Sequence, residues 1–209
     1  MDFSNLIDSS QVFIIAEAGS NWKCGTFDKD LEQAKKLIEI ASNAGANAVK
    51  FQTYTADKVY SKNAGTSSYL KKQGIDKKIN DLFEDFSMPH EMIPELANFC
   101  KQQNILFMST PFSISDAIAI DPFVEIHKIA SFEINHVRLL EFLSKTKKPM
   151  IISTGMSKIE EIEKMVDFVK IQNVSFILLH ANSTYPSPIE SLNVSLIPEY
   201  EKKFDLPIG

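Results

Sequence analysis

Short apolar runs alternate along the chain with longer stretches in which apolar residues recur every three or four positions. The run "VFIIAEAG" (12–19) is continuous enough for a buried strand. The following "DKDLEQAKKLIEIASNAG" (28–45) places Leu31, Ala34, Leu37, Ile38 and Ala41 at helical spacing, with Gly45 as its C-terminal stop. The same alternation predicts strands over 46–54, 105–112, 124–132, 149–155 and 175–183, separated by helices over 88–104, 113–120, 136–147 and 158–173. Strands and helices alternating through short connections are the mark of βαβ units in a parallel sheet buried on both faces, an α/β fold.

Polar residues close these strands one after another: Glu17, Gln52, Thr110, Ser131, Thr154 and Asn182. A (β/α)8 TIM barrel gathers all its strand ends around one axis and builds its site there, whereas an open doubly wound sheet concentrates chemistry at one switch point. The distribution favours the barrel. No G-x-G-x-x-G follows the first strand and no P-loop occurs, which removes the main support for dinucleotide and nucleotide-triphosphate binding. The stretch 55–87 exceeds an ordinary βα connection and is rich in Lys, Asn, Gly and Ser, so it is expected to be a mobile lid or binding loop. Six strands plus a terminal "LPIG" amount to about six βα units and the start of strand seven, an incomplete barrel, since closure takes about 250 residues. Residues 1–209 are therefore expected to be the N-terminal part of a barrel domain.

Composition narrows the class. With 209 residues, 44% of them hydrophobic and 23% charged, the chain is ordinary for a globular domain. A net charge of −5 with dispersed basic residues gives no footprint for nucleic acid, and no basic amphipathic helix points to a membrane surface. The N-terminus has no basic region ahead of an apolar core, and no run approaches the roughly 20 apolar residues of a membrane span, so a cytoplasmic location is expected. Cys24 and Cys100 lie far apart outside any C-x-x-C spacing, which indicates neither a disulfide framework nor a zinc site.

Alternation along a strand puts Lys50 and Gln52 on one face with Phe51 on the other, and groups Lys128 with Ile126 and Ala130. A lysine inside a buried parallel strand is costly unless something anionic meets it. Two sources remain open at this level: a carboxylate such as Glu17 or Glu133, or a ligand phosphate reached also by the hydroxyls of Thr110, Ser131 and Ser153. Glu17 and Glu133 are the candidate acid/base carboxylates, and each reads equally as a salt-bridge partner of the lysines. His180 stands at a strand end, where structural and site roles are balanced. His90, His127 and His136 read as structural, and Tyr185 with Pro186 opens a loop.

The blocks "IIAEAGSNW" (14–22), "AGANAVKFQT" (44–53), "FMSTPF" (107–112), "HKIASFEI" (127–134), "IISTGM" (151–156) and "LLHANSTYPSP" (178–188) stand in order. Together they resemble the sialic acid synthase family, which includes the N-acetylneuraminate, legionaminate and pseudaminate synthases and a spore-coat polysaccharide relative. The resemblance implies a (β/α)8 barrel that condenses phosphoenolpyruvate with an N-acylated amino sugar such as N-acetylmannosamine, releasing phosphate and forming a nonulosonic acid. It further implies a divalent metal, Mn2+, and a homodimer in the full-length protein. By the same resemblance Lys50, Gln52, Thr110, Lys128, Ser131 and Ser153 bind phosphoenolpyruvate, Glu17 and Glu133 are the catalytic carboxylates, and Asn63, Ser183 and Tyr185 approach the sugar. Departures from the family pattern are "NWKCG" (21–25) in place of "N-H-x-G", Ala181 in place of a cysteine, and Ser183 in place of an asparagine. The family's metal-binding histidines and its antifreeze-like C-terminal domain would follow Gly209, so the 209 residues alone are expected to hold no metal ligands and to be inactive. The rival readings are an aldolase or lyase on the same barrel, with one lysine as a Schiff base, and a non-catalytic module that binds phosphoenolpyruvate.

Overall fold

The computed structural model describes residues 3, 11–61, 63–66, 71, 74 and 76–209, which divide into a unit Phe13–Val124 and a second unit containing Glu125–Gly209. In the first unit, β1 (Ile15–Gly19), β2 (Ala48–Thr53) and β3 (Leu106–Pro111) form a parallel sheet in the order β1-β2-β3. Between them run α1 (Phe27–Asn43), α2 (Ala56–Val59), α3 (Ile79–Asp85) and α4 (Met92–Gln102), and α5 (Ile114–Ile120) follows β3.

The helix α1 carries Asp28 and Asp30 in its first turn, where the helix dipole favours negative charge. It buries Ala34, Ile38 and Ala41 along one stripe. It stops where the sequence says it should: Gly45 takes φ +82, and Ala46 N–H returns to Ala41 O at 3.1 Å, closing the turn with a left-handed residue that only glycine adopts freely. α4 buries Met92, Ile93, Leu96, Ala97 and Cys100. These two helices pack with Trp22, Val49, Phe51 and Phe107 into one core. Each such side chain taken out of water contributes about 1.5–3 kcal/mol. Because Val49, Phe51 and Phe107 occupy the helix-facing side, strand alternation sends Glu17, Lys50, Gln52 and Thr110 to the opposite face.

The second unit repeats the plan. β4 (His127–Ile129), β5 (Met150–Ser153) and β6 (Phe176–Leu179) form a parallel sheet in the order β4-β5-β6, with α6 (Val137–Lys145) and α7 (Ile159–Ile171) as the connections. α8 (Leu196–Phe204) follows β6. Register pairs Lys128 with Ile151, and Ser153 with Leu179, on one face. His127, Ile129, Met150, Ile152 and Leu178 are fully buried on the other. The terminal "LPIG" lies parallel beside β6: Gly209 N–H donates to Leu178 O at 2.9 Å and His180 N–H to Gly209 O at 2.8 Å. Consecutive parallel order without reversal is how a barrel winds, and each unit shows it.

Three expectations change. The strand predicted over 124–132 narrows to His127–Ile129, because residues 121–123 and 131–133 each wind into a 3-10 turn. α8 escaped the sequence reading: Pro198 falls in its first turn, where it is tolerated, and its apolar stripe is only Leu196, Tyr200 and Phe204. The stretch 55–87 carries α2, α3 and an antiparallel bridge Thr66–Lys78, while residues 62, 67–70, 72–73 and 75 of the expected lid lie outside the described residues. Among the described residues no helix is long and apolar enough to cross a membrane.

Candidate active site

In the first unit the strand register brings Glu17, Lys50 and Met108 abreast, and Gln52 abreast of Thr110. Lys50 Nζ forms an ion pair with Glu17 Oε2, so the carboxylate anticipated for this lysine is its partner. Thr110 is buried one residue beyond Ser109, whose Oγ meets Thr53 Oγ1 at 2.7 Å on the helix-facing side. Gln52 lines a cleft of about 230 Å³ with Ser20, Tyr54, Leu82, Phe83 and Phe86. Phe83 of α3 stacks obliquely on Tyr54, centroids 5.1 Å apart, which seats α3 over the carboxyl end of this sheet. Burial raises the Tyr54 hydroxyl's pKa. Asn63 is exposed on the stretch after α2.

In the second unit Lys128 is 5% exposed, and its Nζ donates to Ile129 O and to Ser153 Oγ, each at 2.6 Å. Ser131 Oγ accepts from Gly155 N–H at 3.1 Å, which ties the turn after β4 to the loop after β5. Gly155 admits no side chain: a Cβ there would stand 2.6 Å from Ser183 Oγ, 2.8 Å from Ala181 O and 2.9 Å from Ser131 Oγ. A backbone without a side chain thus draws Ser131 and Ser183 together at the carboxyl ends of β4, β5 and β6. Ser183 also lines a cleft of about 390 Å³ with Met156, Asn182 and Asn193. Tyr185 precedes the cis Pro186 and is 72% exposed.

Glu133 has a histidine as a partner. It sits buried at the end of the 3-10 turn, and its Oε2 lies 2.5 Å from His136 Nδ1. His136 had read as structural, and the signal that could have flagged it is the E-x-x-H spacing across a turn. His180 donates from Nε2 to Leu192 O at 2.7 Å and packs edge-on against Tyr200, which gives it a structural partner. A further buried carboxyl, Asp116, lies in the first turn of α5. Burial raises the pKa of this fully buried carboxyl, against the lowering bonds from Ser113 and Thr55 and the nearby His90. Cys100 is buried with its thiol pushed up to about 12, which keeps it unreactive, while Cys24 is exposed. Among the described residues no three His, Cys, Asp or Glu side chains cluster to hold a metal.

Comparison with known proteins decides the family. A model described as the NeuB family matches residues 37–209. The chain belongs to the NeuB family. It is 35% identical over its full length to a pseudaminic acid synthase of Campylobacter jejuni, of which it spans 60%. It is 37% identical over 90% of its length to the spore coat polysaccharide biosynthesis protein SpsE of Bacillus subtilis, of which it spans 49%. The crystal structure of an N-acetylneuraminic acid (sialic acid) synthetase from Leptospira borgpetersenii superposes with a TM-score of 0.82 at 34% identity, covering 95% of this chain and 64% of that one. A phospho-2-dehydro-3-deoxyheptonate aldolase (DAHP synthase) of Thermotoga maritima shares the fold, with a TM-score of 0.64 at 16% identity. The chain thus spans about half to three-fifths of the length of these curated relatives.

Proposed function

We propose that these residues belong to a nonulosonic acid synthase, which condenses phosphoenolpyruvate with an N-acylated amino sugar and releases phosphate. The observation that carries the reading is Lys128: an ammonium buried at a strand end, bonded to a hydroxyl, in a chain of the NeuB family. In the second unit, Lys128, Ser131 and Ser153 hold the phosphate and carboxylate oxygens of the substrate. In the first unit, Lys50, Gln52 and Thr110 have the same task. Asn63, Ser183 and Tyr185 are assigned to the sugar, and Glu17 and Glu133 to proton handling. A completed (β/α)8 barrel is the scaffold this reading assumes.

The enol carbon bonds to the sugar's carbonyl carbon, whose oxygen gains a proton. Water adds to the resulting cationic carbon and loses a proton, and the C–O bond to phosphate then breaks as the added hydroxyl gives up its remaining proton and becomes the ketone oxygen. Lysines and hydroxyls set in advance offset the phosphate charge and hold the enol in line, which lowers the barrel's reorganisation cost during reaction. A divalent metal, Mn2+, would act as an electrophile toward the sugar carbonyl. The described residues provide no donor set for it.

The test is phosphate release from phosphoenolpyruvate by the native full chain, across a panel of N-acylated hexosamines. Sugar-dependent release supports the synthase. Cleavage of a ketose acid through an adduct trapped by borohydride on Lys50 or Lys128 replaces it with the aldolase reading.

A further inference from the structure

A histidine stands beside the buried carboxylate of the second unit, and the proposed chemistry has not used it. The 3-10 turn Ser131–Glu133 follows β4 directly and α6 starts at Val137, so the chain doubles back and sets Glu133 against His136. The two are three residues apart, with His136 N–H bonded to Glu133 O at 2.9 Å and Nδ1 2.5 Å from Oε2. The carboxylate side chain is 11% exposed and the imidazole 37%. A carboxylate oxygen accepts, so in this bond Nδ1–H is the donor, and in the neutral ring Nε2 is the nitrogen with the lone pair. Among the described residues Glu133 is the ring's one polar partner. The same turn carries Ser131, which is tied to Gly155 and lies beside Ser183.

We infer that His136 is the group that exchanges protons with the reactants, and that Glu133 orients it and offsets the charge of its imidazolium. This arrangement reverses the simpler assignment, in which the carboxylate itself carries the proton. Glu133 is the more buried of the two and has one oxygen committed to Nδ1–H. His136 offers an uncommitted nitrogen, on a ring reachable by water. The inference rests on the synthase reading. As water forms its bond to the cationic carbon of the condensed intermediate, one of its O–H bonds breaks and the proton passes to Nε2. The imidazolium then returns that proton to an oxygen of the departing phosphate, while the hydroxyl left on the carbon releases its own proton to solvent and becomes the ketone oxygen. The logic is that of a histidine base held in one tautomer by a buried carboxylate, recognised by geometry rather than by fold.

Two measurements test it. Nitrogen-15 NMR of the native chain reads the tautomer: wild type is expected to carry the proton on Nδ1, and Glu133→Ala to shift the population toward Nε2–H. A wild-type ring protonated on Nε2 alone overturns the pair, whatever the substrate. Kinetics of phosphate release read the role. His136→Ala and His136→Asn are each expected to lower kcat about a hundredfold, within the range of general acid–base catalysis, with KM for phosphoenolpyruvate changed less than about threefold. Asparagine retains an N–H near the position of Nδ1 but provides no base at the position of Nε2, so rescue by His136→Asn overturns the proton-carrying role and leaves a mere turn brace. A wild-type enzyme silent with every amino sugar sinks the functional reading instead, a result distinct from rescue by asparagine.

Discussion

Lys50 and Lys128 sit on strands of two sheets built alike, and they are held differently. Lys50 faces a carboxylate, Glu17, whose side chain is 49% exposed. Lys128 is more deeply buried and donates to the hydroxyl of Ser153 and the carbonyl of Ile129. An anion arriving at Lys50 must share it with a negative charge and with water. An anion arriving at Lys128 meets a buried ammonium that a hydroxyl and a carbonyl help to orient, where low local dielectric strengthens each contact. The difference teaches that a strand-end lysine is not one kind of device: the first pairs with a half-exposed carboxylate, and the second is deeply buried with a hydroxyl and a carbonyl among its partners.

The largest effect expected from this contrast is on binding. Lys128→Met should weaken phosphoenolpyruvate by about 2–5 kcal/mol, as truncating one side of a buried charge pair does, and Lys50→Met by distinctly less. Titration calorimetry on the folded variants reads both. Equal losses would erase the distinction, and a larger loss at Lys50 would invert it.

Next comes the glycine that draws the second group together. Gly155→Ala drives a Cβ into Ala181 O and two hydroxyls, and since a backbone carbonyl yields little, the cost should be about 1–3 kcal/mol of stability. In the first unit, Gly25→Ala would meet only the flexible Lys29 side chain, at 3.4 Å, so it should stay within about 0.5 kcal/mol. Urea denaturation of the two variants compares the regions directly, and a Gly155→Ala protein as stable as wild type would show the hydroxyl cluster to be loose.

Acid should separate two carboxylates of the first unit by sign. Burial works to raise the Asp30 pKa, but Lys23 and the Cys24 and Gly25 N–H groups prevail and hold it below the usual value. Its contribution is therefore present above the unfolded value of about 3.8 and lost as pH falls through the lower folded value. Asp116 runs the other way: burial raises its pKa, so its favourable contribution is complete at low pH and fades as pH rises through the raised value. Asp30→Asn should cost about 1–2 kcal/mol at neutral pH and little in strong acid, whereas Asp116→Asn should cost most in acid. Stability measured from pH 3 to 7 decides it, and parallel curves for the two variants would refute the assignment of causes.

How much of this was legible in the sequence follows from the range of the forces involved. Alternation is local, so Lys50 and Gln52 could be placed opposite Phe51, and Gly45 could be read as the stop of α1. β4 was overdrawn because Val124 and Ile126 are apolar and buried like strand residues but lie before the strand, and apolarity reports burial rather than dihedral angles. Gly155 was not legible as a site residue, and His136 only through its E-x-x-H spacing. What matters about Gly155 is the space that Ser131, Ala181 and Ser183 leave it, and these follow two other strands, β4 and β6. His136 meets Glu133 only because a 3-10 turn bends the chain between them. α3 was hidden inside a polar stretch, and its packing depends on Phe83 reaching Tyr54 from another element.

The smallest effect expected is at Glu17. Half-exposed ion pairs contribute about 0–1 kcal/mol, since solvent screens the attraction and two side chains lose freedom, so Glu17→Gln should barely change the denaturation midpoint. Its informative consequence is on ligand binding. Glutamine keeps an oxygen for Lys50 but removes the charge that competes with a phosphate or carboxylate. Phosphoenolpyruvate should then bind no more weakly, and by about 1 kcal/mol more tightly if Lys50 takes part, even as turnover falls with the loss of an ionisable group near the reactants. The double substitution with Lys50→Met should abolish that gain. Weaker binding in Glu17→Gln would mean that the carboxylate supports the anion site rather than opposing it, and the contrast drawn between the two lysines would fail at its first member.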